Sequence, residues 1–373
     1  MMFADQDRDL ARLAAADRYR SLRPRQGIDF ASNDYLGLAG SDRLRAAMVD
    51  ALGRGVAVGS GGSRLLRGNA PEHEALEAEA AQFFGTEAAL FLASGYAANT
   101  ILFATLPQRG DLIIHDALIH ASAHEGMRLT RATYVAAAHN DADAFEDAIA
   151  RWRTGGGTGR VWIAVESLYS MDGDQAPLAA LAEIADRHDA ILLIDEAHAT
   201  GVFGPDGRGL AHTLDGRDNV ISLRTCGKAL GCEGALLCGP SVMREFIVNR
   251  GRGFIFSTAP SPLMALAVSE ALRIIVDEPT RRDKLWALIA VAERVLAPYD
   301  VTATGSQILP LVLGDAARTM RIAGAIQAAG FDVRGIRPPT VPKGGSRLRI
   351  SLTLNATVAD IEALAEVMGE ALR

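Results

Sequence analysis

Short apolar runs alternate with longer stretches of helical periodicity through the first two-thirds of the chain. "AALFLAS" (88–94), "DLIIHD" (111–116), "RVWIAVES" (160–167), "AILLIDEA" (190–197), "NVISL" (219–223) and "GALLCG" (234–239) lack the polar residue at every second position that marks a half-exposed strand. Strands buried on both faces read this way, so the pattern predicts a mostly parallel sheet covered by helices. The segments between the runs supply the cover. "LAALAEIADRHD" sets Leu178, Leu181 and Ile184 on one helical face, and "EHEALEAEAAQFF" does the same with Leu76, Ala80 and Phe83 behind Pro71 and the candidate cap Asn69. "TGGGTG" (154–159) reads as a flexible surface loop, and "GVAVGSGGSR" as a loop that lacks the GK[ST] ending of a phosphate-binding P-loop. From about Pro262 longer helices take over, followed by "LPLVL" and "RLRISL", which predicts a smaller C-terminal α/β lobe. The expected division is an N-terminal segment (1–40), a large domain (41–265) and a small domain (266–373).

Composition narrows the class. A chain of 373 residues with 49% hydrophobic and 22% charged residues buries a large core. Its net charge of −7 works against nucleic-acid or anionic-membrane partners, both of which need a basic surface. The three cysteines, Cys226, Cys232 and Cys238, fall in one segment without a CxxC spacing and read as small buried hydrophobes rather than a disulfide or metal framework. No metal site is expected. "MMFADQDRDLARLAAADRYR" has no apolar signal core, and no later run approaches the roughly 20 apolar residues of a membrane span, so a cytoplasmic protein is expected.

Ligands of open parallel sheets collect beyond the carboxyl ends of the strands, and the chemistry-bearing residues fall there. "ILLIDEAHATG" ends a run with Asp195 and His198, and "VWIAVESLYSMDGD" ends another with Glu166, Ser167 and Ser170. "FLASGYAANT" ends a third with Ser94, Gly95 and Tyr96 before a helical stretch, where backbone N–H groups and the helix dipole can hold a phosphate. "SLRTCGKALGCEGALLCG" carries one amine, Lys228, among small, apolar and hydroxyl residues. Such a lysine is either a surface residue with its amine in water or a desolvated one that releases its proton more readily. Asp195 alone reads equally as a turn or cap residue, and His120 and His124 as helix-terminal or surface histidines. Pyridoxal phosphate (PLP) needs this combination: an amine for its aldehyde, a carboxylate to keep its ring nitrogen protonated and a cradle for its phosphate. Lys228 and Asp195 would fill the first two roles, with His198 supporting Asp195 or the ring 3-oxygen and Thr225 adding a phosphate hydroxyl.

The ordered set "SNDYLGL", "GSGGSRLLRGN", "HEALE", "SGYAAN", "IHAS", "ESLYSMDGD", "DEAHATGVFG", "TCGKALG" and "IRPPTVP" resembles the α-oxoamine synthases across nearly the whole chain. These are PLP-dependent transferases of fold type I, the aspartate aminotransferase-like fold, and act as homodimers. The resemblance implies that Lys228 carries the cofactor, Asp195 pairs its ring nitrogen, His198 lies near its 3-oxygen and His120 stacks on its ring. It further implies phosphate contacts from Gly95, Tyr96 and Thr225, a cofactor-site hydroxyl from Ser170, and Thr258 reaching the phosphate of a partner subunit. Asn33, Glu166 and Thr340 look like substrate contacts, Arg337 like the arginine for the amino-acid carboxylate, and Arg20 like an acyl-substrate arginine. Arg349 in "RLRIS" is a fallback for Arg337 that otherwise reads as a strand-flanking surface charge. The chain departs from the family pattern at Cys226, where phenylalanine is common, and at Phe256, where tyrosine is common. Its compact length and "IRPPTVP" look most like the family member that joins L-alanine to a pimeloyl thioester carried on coenzyme A or an acyl carrier protein. Glycine-using sister synthases share most of the motifs, and a noncatalytic scaffold that retains the cofactor is the more distant alternative.

Overall fold

The apolar runs pair into one seven-stranded sheet in a computed structural model that describes residues 2–22 and 24–373. With strands numbered along the chain, β1 (Ile28–Asp29) belongs to a small sheet described below, and the large sheet holds β2 (Ala88–Leu92), β3 (Leu112–Asp116), β4 (Thr133–Ala137), β5 (Val161–Glu166), β6 (Ile191–Asp195), β7 (Val220–Thr225) and β8 (Ala235–Gly239). Their order is β2-β8-β7-β6-β5-β3-β4, and only β8 runs antiparallel to its neighbours. Successive side chains of one strand feed opposite cores, which explains the uninterrupted apolar runs. Trp162 and Ala164 pack with Phe103, Met127 and Leu237, while Val161, Ile163 and Val165 pack with Phe145, Ile149 and Leu192. β4 escaped the sequence pattern because it is an edge strand: Thr133 to Ala136 are exposed and only Ala137 is buried. The helix Pro71–Phe84 has Pro71 in its first turn, is preceded by Ala70 rather than Asn69, and buries Leu76, Ala80 and Phe84. Phe84 replaces the expected Phe83 because it continues the four-residue spacing of Leu76 and Ala80.

Two units emerge. The larger comprises Leu36–Ser170 and Gln175–Arg282, and the smaller Met1–Tyr35, Met171–Asp174 and Asp283–Arg373. The boundary therefore falls near Arg282 rather than at 265, because the helix Pro262–Asp277 packs on Asp42–Gly53 and Pro71–Phe84 within the larger unit. Arg43 fastens it through Glu270 (2.7 Å) and Asp277 (2.6 Å). In the smaller unit β9 (Ile308–Gly314), β10 (Phe331–Asp332), β11 (Arg334–Ile336) and β12 (Ser346–Ser351) form two sheets. β12 lies antiparallel between β11 and β9, and β10 pairs in parallel with β1, which ties the N-terminal segment into this unit. No helix among the described residues is long and apolar enough to cross a membrane.

A buried ion cluster underlies the carboxyl ends of β6 and β7. Arg224 is fully buried, donates from Nη2 to both oxygens of Asp215 (2.9 and 2.7 Å), lies 3.5 Å from Glu196 Oε2 and covers the Phe84 ring at 4.0 Å. Removing the guanidinium leaves two carboxyl groups buried without their cation, a change that costs about 3–5 kcal/mol. Arg224→Ala is therefore expected to lower unfolding free energy by that amount in urea denaturation; a loss below about 1 kcal/mol would contradict the cluster's role.

Candidate active site

Register places the first carboxyl groups. Glu166 ends β5 and pairs with Asp195 at the end of β6, and Asp195 pairs in turn with Leu223 of β7. Beyond β6 the chain turns tightly: Glu196 N–H donates to Leu223 O (2.8 Å), Ala197 N–H to Asp195 Oδ1 (2.9 Å) and Ala199 N–H to Glu196 O (3.1 Å). That turn buries His198 with its Nε2 2.9 Å from Lys228 Nζ. Lys228 sits on the loop after β7, closed by Cys226 N–H to Gly234 O, Cys232 N–H to Cys226 O and Gly231 N–H to Lys228 O, each 2.9 Å. The lysine is half-buried and hydrogen-bonded. Cys226 and Cys238 are buried free thiols; burial lifts both, Cys238 to about 12, so they behave as apolar side chains.

The helix Gly95–Thr105 opens beside β7. Ser94 caps it by accepting from Ala97 N–H (3.1 Å), and the N–H groups of Gly95 and Tyr96 precede the first intrahelical acceptor. A Cβ at Gly95 would lie 3.3 Å from Thr225 Oγ1, so glycine lets that hydroxyl rest against the helix start. Thr225 is half-buried and Tyr96 exposed. This is a cradle for an anion.

Glu166 is buried and its Oε1 has no hydrogen-bond partner. Burial and then the neighbouring Asp195 push its carboxyl well above the usual range, against the opposing pull of Lys228 and the Ser170 N–H. Ser170 itself is half-buried. His120 caps the helix Ala121–Leu129 and is solvent-accessible, with Nδ1 2.7 Å from Ser122 Oγ. Desolvation by the surrounding protein lowers its pKa, Asp195 opposes that shift, and Lys228 adds to it. Two further residues, Asn99 and Ser122, join this set through hydrogen bonds to Asp195 and His120 and were not read as site residues; a polar Asn inside the apolar helix "YAANTILF" and the serine of "HAS" were the available signals. Thr258 makes none of these bonds. It lies exposed, next to Ala259, whose N–H holds Gly62 O at 2.9 Å, and Phe256 is exposed nearby.

In the smaller unit Arg20, Arg337 and Thr340 line one cavity of ≈ 540 Å³ together with Asp17, Tyr19 and Arg334. Arg337 donates to Tyr19 O (2.9 Å), and its buried Nε has no partner. Burial and then the like charge of Arg20 lower its pKa, against the smaller opposing pull of Asp17, and the paired guanidinium groups suit a carboxylate. Arg349 is not a surface charge: it is buried on β12 and donates to Ser351 Oγ (2.5 Å), Asn33 Oδ1 (3.0 Å) and Tyr35 Oη (3.4 Å). Burial of a guanidinium is tolerated here because acceptors surround it.

A half-buried amine on the loop after β7, a carboxylate at the end of β6, a buried carboxyl with one unpartnered oxygen and a helix start beside β7 fit a phosphorylated aldehyde cofactor. Comparison with known proteins agrees. The family described as aminotransferase class I and II matches residues 25–368. The 8-amino-7-oxononanoate synthase of Anaeromyxobacter dehalogenans is 43% identical over 92% of this chain and 86% of its own length. That of Geobacter sulfurreducens is 39% identical over 96% of both chains. Among solved structures, serine palmitoyltransferase from S. paucimobilis with bound PLP superposes with a TM-score of 0.88 at 25% identity over 99% of this chain and 97% of that one. An 8-amino-7-oxononanoate synthase from Francisella tularensis superposes at 0.79 with 27% identity over 93% and 98%.

The raised Glu166 pKa has a measurable sign. An unfolded glutamate loses its proton near ~4.3 while the folded one keeps it, so unfolding releases a proton and stability falls as pH rises past that value toward the folded pKa. Glu166→Gln is expected to flatten this decline between about pH 5 and 7 in urea denaturation, and an unchanged slope would overturn the raised pKa.

Proposed function

Because this chain belongs to the aminotransferase class I and II family, among its PLP-dependent 8-amino-7-oxononanoate synthases, we propose that it condenses L-alanine with a pimeloyl thioester. The products are 8-amino-7-oxononanoate, carbon dioxide and the free thiol, a step of biotin synthesis. The observation that carries this reading is the Lys228 amine held 2.9 Å from His198 Nε2, on the loop that follows the strand next to the one ending in Asp195. Bound PLP supplies an aldehyde that captures an amine and a protonated ring that accepts the electron pair released at the substrate α-carbon.

The chain's own groups do the rest. Lys228 would hold the cofactor aldehyde and, as the free amine, would take the substrate α-proton and return it to the product carbon. The contact with His198 keeps the half-buried amine aimed. Asp195, its carboxylate fixed by Ala197 N–H at 2.9 Å, would keep the ring nitrogen protonated. His198 would steady the 3-oxygen, His120 would stack on the ring, Ser170 would contribute a hydroxyl, and Gly95, Tyr96 and Thr225 would receive the phosphate. Arg337 binds the alanine carboxylate with Thr340 beside it, Arg20 binds the acyl donor, and Asn33 and Glu166 contact substrate. Arg349 supports Asn33 from 3.0 Å. A second copy of the chain forms a homodimer in which the exposed Thr258 reaches the partner's phosphate, and the enzyme works in the cytoplasm on coenzyme A or acyl carrier protein thioesters.

Lys228→Ala is expected to abolish product formation, by at least ~10³-fold in kcat, when L-alanine and pimeloyl thioester are supplied and 8-amino-7-oxononanoate is counted by mass spectrometry. Near-normal output from that variant sinks the assignment. Wild-type turnover with glycine and another acyl thioester, but not with L-alanine and pimeloyl donors, would move the chain to a sister synthase.

A further inference from the structure

A buried polar chain connects Asp195 with His120 through two side chains to which no role has been given. Asn99 lies inside the helix Gly95–Thr105 and is almost fully buried. Its Nδ2 donates to Asp195 Oδ2 (2.8 Å) and to Ser122 Oγ (3.0 Å), which uses both protons of the amide. The opposite amide orientation would set Asn99 Oδ1 against a carboxylate, so the partners fix the flip. Ser122, completely buried, has one hydroxyl proton; its oxygen accepts from Asn99, and His120 Nδ1 stands 2.7 Å away on the other side. The backbone N–H of Ser122 also points at His120 Nδ1 from 3.2 Å. Two donors converge on that nitrogen, and a proton already on it would oppose the N–H.

We propose that Asn99 and Ser122 are positioning residues that hold the Asp195 carboxylate and force His120 into the tautomer with its proton on Nε2. The proposal rests on the reading that His120 and Asp195 face the cofactor. With Ala197 N–H on Oδ1 and Asn99 on Oδ2, both oxygens of Asp195 are anchored, so the carboxylate plane is set before anything binds. His120 occupies the N-cap of a nine-residue helix, where the positive end of the dipole disfavours imidazolium. Desolvation by the surrounding protein and the nearby Lys228 push in the same direction, against the pull of Asp195. His120 therefore presents Nε2–H as a donor to an anionic oxygen and cannot act as a base through Nδ1.

The test is long-range ¹H–¹⁵N correlation NMR of the full chain labelled at histidine, with and without PLP, with His120 assigned by His120→Gln. The expected wild-type pattern is an unprotonated Nδ1 and a protonated Nε2 between about pH 6.5 and 8. A proton on Nδ1 overturns the proposal and needs no variant. Ser122→Ala and Asn99→Leu are expected to give mixed tautomers and a roughly tenfold fall in kcat with little change in KM, and Ser122→Thr, which keeps the hydroxyl, restores the wild-type tautomer. Folded variants that leave the His120 tautomer unchanged also refute it. Failure of PLP to bind Lys228 would defeat the proposed function while leaving the tautomer result intact, so the two readings fail separately.

Discussion

Parallel hydrogen bonding among β5, β6 and β7 brings Glu166, Asp195 and Leu223 level along one edge of the sheet, and the chemistry of the larger unit is arranged from that line. The strand ends are anchored from beneath by Arg224, which is compensated by equally buried acceptors, Asp215 and Glu196 foremost, and by the Phe84 ring. A cluster of this kind contributes little net stability when intact and costs several kcal/mol when one member is lost. Its use is geometric: Glu196 immediately follows Asp195, and Arg224 immediately precedes Thr225.

Two carboxyl groups so close together cannot share the same surroundings. Donors converge on Asp195, from Ala197 N–H and Asn99, whereas Glu166 keeps a buried, unpartnered oxygen and has its pKa pushed well up. The pair thus places two carboxyl groups in contrasting surroundings side by side on adjacent strands. Lys228 is held on a loop whose backbone closes on itself, so the amine's position is set by main-chain bonds and its direction by His198.

Much of this was legible in the sequence. Residues buried on both faces of a parallel sheet must be apolar at every position, and that requirement wrote six strands into the chain as continuous runs. The edge strand β4 carries no such requirement and left no such run. Lys228, Asp195 and His198 stood out because a lone amine, a strand-terminal carboxylate and an imidazole three residues later are uncommon in apolar company. Phe84 against Phe83, and the boundary near Arg282, turned on packing between segments far apart in the chain.

By itself, the sequence determined the class of fold, the order of the buried strands and the residue types able to serve a phosphorylated aldehyde, because burial and backbone geometry act locally and leave periodic marks. The tertiary structure alone decided which of those groups are charged, which are buried and which are held by others. Asn99 and Asp195 are 96 residues apart, and Lys228 and His198 are 30 apart. Their hydrogen bonds exist only after strand pairing and helix packing have closed those distances, and a hydrogen bond's direction depends on partners that no local pattern encodes.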